Sequence, residues 1–201
     1  MKKEVPLLSE RFEAGFRLAA QLHARQTRKG TGVPYVSHLM AVAALVLEHG
    51  GGEDDAIAAL LHDAVEDQGG PPTLERIRDQ YGETVAHLVE GCTDADTVPK
   101  PPWAERKQRY LEHLRQADAR VRRVSCADKL HNARCVLADY RQQGEALWPR
   151  FNGGREPTLW YYRELARTFM RLDGNALAQE LARTVAELDE LAARGAPPAS
   201  S

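Results

Sequence analysis

Residues 53–67, EDDAIAALLHDAVED, decide how the rest of the chain is read. Three acids open the stretch, as suits a helix N-terminus. A nearly unbroken apolar run, 56–61, leads into His62-Asp63, and Glu66-Asp67 follow. The spacing predicts one continuous third helix. At about 100° per residue, positions 62, 63, 66 and 67 fall within an arc of roughly 140°. Ile57, Leu60, Leu61, Ala64 and Val65 take the opposite side and can face a core. A merely solvated face would favour Lys, Glu and Arg, whereas here His-Asp directly follows the most apolar part of the helix. Carboxylates beside so much burial are costly unless paired or bound to a metal.

Outward from this segment the chain reads as helix after helix, and no stretch alternates convincingly as a strand. Ser9 is placed to cap a helix running to about residue 28, with Phe12, Phe16, Ala19, Ala20 and His23 along one side. RKGTGVPY (28–35) is a Gly/Pro loop. Ser37 caps a second helix carrying Leu39, Val42, Leu45 and Val46, which stops at His49-Gly50-Gly51-Gly52. That HGGG reads as a glycine helix stop, because no GxSxG nucleophile elbow occurs in the chain. After QGGPP, Thr73 caps a short helix over 74–80, and Gly82 precedes another over 83–90. A loop rich in Pro leads to a charged helix over 103–117, and Asp118 opens a long helix through 140. FNGGREP precedes a helix over 158–172, and Asp173 begins a last amphipathic helix to about 193. The expectation is an all-α fold, one domain over 1–195 with about eight to ten helices around a single metal site, and a disordered tail over 196–201.

Composition agrees with a single soluble globular domain: 201 residues, 43% apolar and 28% charged. The longest apolar run, 39–47, is about half of the roughly 20 residues a membrane-spanning helix needs. MKKEVPLLSE carries two lysines but no signal-like apolar stretch behind them, which makes the cytoplasm the expected location. A formal net charge of −2 argues against a general nucleic-acid binder. Basic residues are grouped locally at Arg25/Arg28/Lys29, Arg106/Lys107/Arg109 and Arg120/Arg122/Arg123. Cys92, Cys126 and Cys135 lack CxxC spacing and fit buried thiols in a reducing compartment.

Two further segments can join the 53–67 stretch. His38, in PYVSH, opens the second helix. Asp128, in VSCADKLHN, sits among small and apolar neighbours, with Asn132 four residues on and on the same face. Two imidazoles and two carboxylates form a mixed N/O set suited to Mn, Fe, Co, Ni or Zn with water in open positions.

The ordered series RKGTGVPYVSHLMAVAAL, IAALLHDAVED, YGETVAHLVEGCTD and CADKLHNAR carries the pattern H…HD…D. It resembles the HD phosphohydrolase superfamily, and in particular the hydrolase domain of RelA/SpoT proteins and the small stand-alone alarmone hydrolases. The similarity runs over about 12–172. The stretch has no room for synthetase or regulatory domains, so the resemblance implies hydrolysis only.

By match of motif, the resemblance implies one divalent transition metal, typically Mn²⁺, on His38, His62, Asp63 and Asp128. The family's catalytic carboxylate pair falls on Glu66 and Asp67, and which of them is the base is left open. Arg28 and Lys29 match its basic pair, with stacking of Arg on a purine as one role. Lys100 matches a phosphate-contacting lysine, Asn132 a residue near the sugar and phosphate, and Tyr161 a substrate-side tyrosine, with Tyr162 nearly as good a match. The implied substrate is a small nucleotide, (p)ppGpp, split at the 3′-pyrophosphate into pyrophosphate and GDP or GTP. Val33 before Pro34 and a longer segment over 138–162 depart from the pattern and bear on the pocket rim. Two alternatives remain: a different nucleotide or phosphorylated dinucleotide cofactor as substrate, or a non-catalytic nucleotide-binding regulatory module. No partner nucleic acid or membrane is implied, and the oligomeric state is not legible.

Overall fold

The computed structural model describes residues 7–93 and 101–195. In chain order its elements are α1 (Glu10–Leu22), α2 (Val36–Glu48), α3 (Glu53–Leu61), α4 (Ala64–Asp67), α5 (Pro71–Tyr81), α6 (Glu83–Cys92), α7 (Trp103–Gln116), α8 (Ala119–Gln143), a 3₁₀ helix (Gly144–Arg150), α9 (Arg155–Leu172) and α10 (Ala176–Gly195). The expected all-α fold is what forms, and the one β-type pairing among the described residues is an isolated bridge between Thr27 and Pro34. The expected tail at 196–201 lies outside the described residues.

Backbone contacts divide the chain into two units, residues 1–100 with 118–127, and residues 101–117 with 128–201. In the first, α3 is the centre. Its residues Ala56 through Leu61 are at most 1% exposed, and it packs against α1, α2 and α6. A helix apolar on every side is stable only when surrounded. Two contacts fix the start of α8 in this unit. A Cβ on Gly91 of α6 would lie 2.7 Å from Val121 Cγ2, so the helices approach through a missing side chain. Asp55, 4% exposed, accepts from the Gly52 N–H at 2.8 Å and from Arg120 Nε at 2.8 Å.

In the second unit α9 packs on α7 and α10, burying Leu159, Leu165, Phe169, Leu181 and Leu188. Arg163 Nε donates to Asp189 Oδ2 at 2.8 Å between α9 and α10.

Several expected boundaries move. α1 ends at Leu22, well short of 28, where His23 leaves helical geometry with its imidazole buried. Ser9 does cap it, accepting from the Arg11 N–H at 3.2 Å. Ser37 is not the cap of α2. It lies inside the first turn and its hydroxyl donates back to the Pro34 carbonyl at 2.8 Å. α2 stops as expected at the glycines, with Gly50 at φ +78° and the Gly51 N–H donating to the Val46 carbonyl at 2.8 Å. α5 starts at Pro71 and holds Thr73 within it, and Asn175 caps α10 in place of Asp173. The largest change is at the centre: the third helix is not continuous, but breaks after Leu61.

Candidate metal centre

The break places the HD dipeptide. His62 keeps helical angles (φ −59°, ψ −31°) while Asp63 moves to φ −96°, ψ −2°. His62 Nδ1 is 2.8 Å from the Ala59 carbonyl oxygen. A carbonyl oxygen only accepts, so Nδ1 carries the hydrogen and Nε2 presents its lone pair to the interior. Asp63 then swings its carboxylate alongside: Oδ2 lies 3.0 Å from His62 Nε2 and 3.6 Å from His38 Nε2. The two imidazole rings stand edge to face with centroids 5.2 Å apart. His38 and His62 are 1% and 2% exposed.

His38 arrives from the first turn of α2 because the preceding loop is pinned at its base. The Arg28 N–H donates to the Val33 carbonyl and the Tyr35 N–H to the Gln26 carbonyl, both at 2.9 Å. Tyr35, just before α2, donates its hydroxyl to Asp63 Oδ2 at 2.6 Å. Its ring stands edge-on to His38 at 5.6 Å.

Asp128, 6% exposed, follows Val121, Val124 and Ser125 along one buried face of α8. The carboxylate is held from its own helix, accepting from Lys129 Nζ at 2.7 Å and from Asn132 Nδ2. Burial alone would lower the Lys129 pKa, but Asp128, Tyr110 and Tyr161 beside it hold it well above the ordinary lysine range.

These donors fit a divalent transition metal. Neighbouring ligands with metal bonds of about 2.1 Å stand about 3.0–3.4 Å apart, close to the separations of Asp63 Oδ2 from the two imidazole nitrogens. The set is nitrogen and oxygen of intermediate hardness, its imidazoles nearly dry and its Asp63 side chain 22% exposed, with one imidazole oriented by a backbone carbonyl and each carboxylate by a hydrogen-bond donor.

Glu66 and Asp67 fall on α4, on the turn after the break, Glu66 half-buried and Asp67 reaching solvent. Asp67 Oδ2 accepts from Gln26 Nε2 at 2.8 Å. Although part of Asp67 is exposed, the packed groups around its carboxyl raise its pKa, with Asp63 and Glu66 adding repulsion and the Gln26 hydrogen bond opposing them. An open cleft of about 310 Å³ lies against this carboxylate, lined by Leu22, Arg25, Gln26, Asp67 and Gln68.

Of the residues matched to substrate roles, Arg28 holds its guanidinium 5.6 Å from the Tyr35 ring centroid, and Lys29 is exposed. Asn132 bonds Asp128, as above. Tyr161 and Tyr162 are both buried, and Lys107 Nζ lies 4.9 Å over the Tyr161 ring. Lys100 lies outside the described residues. Sequence reasoning passed over Tyr35 and Gln26. The PY dipeptide marked the first only as part of a motif, and nothing in the sequence tells which way either side chain turns.

The HD domain family matches residues 15–158. A probable GTP pyrophosphokinase of Mycobacterium leprae is 41% identical over 125 residues, 62% of this chain and 16% of that protein. The guanosine-3′,5′-bis(diphosphate) 3′-pyrophosphohydrolase MESH1 of Xenopus tropicalis is 40% identical over 119 residues, 58% of this chain and 64% of that protein. The match thus spans less than two thirds of either relative's length. A solved structure described as a metazoan ortholog of SpoT that hydrolyzes ppGpp superposes with a TM-score of 0.75, at 26% identity, over 92% of this chain and 98% of that one. With the family match running from residue 15 to residue 158, more than half of the chain, and the His and His-Asp of the motif brought together in space, the chain belongs to the HD-domain family.

Proposed function

We propose that this protein is a metal-dependent phosphohydrolase that removes the 3′-pyrophosphate of guanosine 3′,5′-bis(diphosphate) and its triphosphate counterpart, releasing pyrophosphate and GDP or GTP. The observation that carries the reading is the convergence of His38 Nε2, His62 Nε2 and Asp63 Oδ2 at 3.0–3.6 Å, with a carboxylate pair one turn away. The names of the relatives support the substrate.

His38, His62, Asp63 and Asp128 would hold the ion, for which we assign Mn²⁺. When bound, it supplies Lewis acidity toward a phosphoryl oxygen and lowers the pKa of a coordinated water. The remaining work falls to the chain. Glu66 and Asp67 share two proton tasks: one accepts a proton from the attacking water, and the other delivers one to the departing ribose 3′-oxygen. The water oxygen bonds to phosphorus as the phosphorus–3′-oxygen bond breaks, so atoms and charge balance. Arg28, backed by the Tyr35 ring, offers a planar cation for the guanine face, and Lys29 and Lys100 offer charge to the phosphates. Asn132 and Tyr161 complete the substrate side. Three free thiols, Cys92, Cys126 and Cys135, are compatible with the cytoplasm, where we place the enzyme.

The test is a nucleotide panel assay on purified protein with and without Mn²⁺, with product identification. Pyrophosphate and GDP from ppGpp are expected. An untouched ppGpp beside a dephosphorylated dinucleotide or other nucleotide would reassign the substrate. No metal-restored turnover on any of them would refute the enzyme.

A further inference from the structure

His23 closes α1 with its imidazole 2% exposed, and none of the roles above uses it. On one side its ring stacks on Tyr35, centroids 5.1 Å apart and planes 17° from parallel. On the other, His23 Nδ1 lies 2.7 Å from Gln26 Oε1. An amide oxygen only accepts, so His23 Nδ1 carries the hydrogen. The same oxygen accepts from Gln68 Nε2 at 2.6 Å. With two donors on its oxygen, the Gln26 amide cannot rotate by 180° without losing both bonds. Its Nε2 is thereby turned toward Asp67 Oδ2, 2.8 Å away. Packing explains why a buried imidazole finds one acceptor. It does not explain why both contacts of the ring lead onward to site carboxylates, through Tyr35 to Asp63 and through Gln26 to Asp67.

We propose that His23 is a positioning residue that holds Asp67 in its working orientation through the Gln26 amide, while its ring backs Tyr35 against Asp63. The inference rests on the phosphohydrolase reading and adds to it the group that sets the second carboxylate.

His23→Phe keeps an aromatic ring on Tyr35 and removes the Nδ1 donor, and Gln26→Ala removes the intermediary. In the full chain loaded with Mn²⁺, each is expected to lower kcat about tenfold with KM within about twofold, since a misdirected carboxylate slows chemistry more than binding. Because both act on one path, the double variant is expected to lose no more than the worse single variant. A carbon-13 titration of the Asp67 carboxyl gives a readout free of turnover: its pKa should rise in both variants, because a hydrogen bond to the charged form is lost. Unchanged kcat in either variant, additive losses in the double variant, or an Asp67 titration unmoved in both overturns the proposal. A wild-type protein inactive on the whole nucleotide panel refutes the enzyme reading, and the titration then decides the His23 proposal alone. Should His23→Phe fail to fold, Gln26→Ala at its half-buried surface position carries both measurements.

Discussion

The Tyr35 hydroxyl donates to the same oxygen of Asp63, Oδ2, that faces the two imidazole nitrogens, at 2.6 Å. One carboxylate oxygen thus meets a phenol from before α2, a histidine from within α2 and a histidine from the end of α3. The hydrogen bond fixes the carboxylate's rotation, and a ligand that need not be ordered on binding costs less entropy.

Tyr35→Phe should therefore weaken divalent metal binding about 10- to 100-fold while leaving the ring stack on His23 in place. Calorimetric titration of the apo protein with Mn²⁺ measures this directly. Equal affinity in the two proteins would mean that the phenol contributes nothing to the centre.

His62→Ala should uncouple stability from metal. At a free metal concentration about a hundredfold above Kd, binding adds about 2.7 kcal/mol to the folded state. For a chain of this size that corresponds to a rise in Tm of roughly 5–10 °C. The wild-type protein is expected to show that rise with Mn²⁺ and His62→Ala to show none. Equal shifts in both would place the ion elsewhere on the molecule.

The helical periods of the sequence carried most of the architecture, because a buried α3 and the amphipathic helices around it leave a 3.6-residue signature whatever their neighbours are. The break after Leu61 left no such trace. Ala64, Val65 and Glu66 are all compatible with a helix, and the interruption is set by tertiary demands on His62 and Asp63, not by local propensity. The end of α1 was misread for a related reason: the pattern continues through His23, but the imidazole is drawn inward to Tyr35 and Gln26. At the candidate site, ionisable groups directly after an apolar run singled out His62 and Asp63, whereas His38 drew notice only through its co-occurrence with that pair and the family resemblance. Tyr35 and Gln26 were hidden because orientation, not identity, gives them their place.

Asp55 should matter more to stability than its partner Arg120. It is nearly fully buried and serves the Gly52 N–H, Arg120 and Arg123 at once. Arg120 keeps 43% of its side chain exposed and can return to water. Asp55→Ala is expected to cost about 2 kcal/mol or more in urea unfolding and Arg120→Ala about 1 kcal/mol or less. The reverse order would show that the pair's worth lies in the arginine.

Asp67 offers a test in which activity and stability part company. Burial of its surroundings raises its carboxyl pKa in the folded protein, so the folded state binds that proton more tightly than the unfolded chain does. Between the ordinary carboxylate value and the raised one, the folded state holds more protons, and stability falls as pH increases. Above that window the charged carboxylate carries a standing penalty, and below it there is none. Asp67→Asn removes the ionisation, keeps an oxygen able to accept from Gln26, and leaves the metal ligands untouched. At neutral pH it should unfold at a Tm equal to or above the wild type's, with any gain vanishing below about pH 3.8. Turnover should meanwhile fall about a hundredfold or more, as expected for loss of a proton-handling group. A variant that is markedly less stable at neutral pH would show that the charged form is favoured by its surroundings. One that retains full turnover would leave both proton tasks to Glu66.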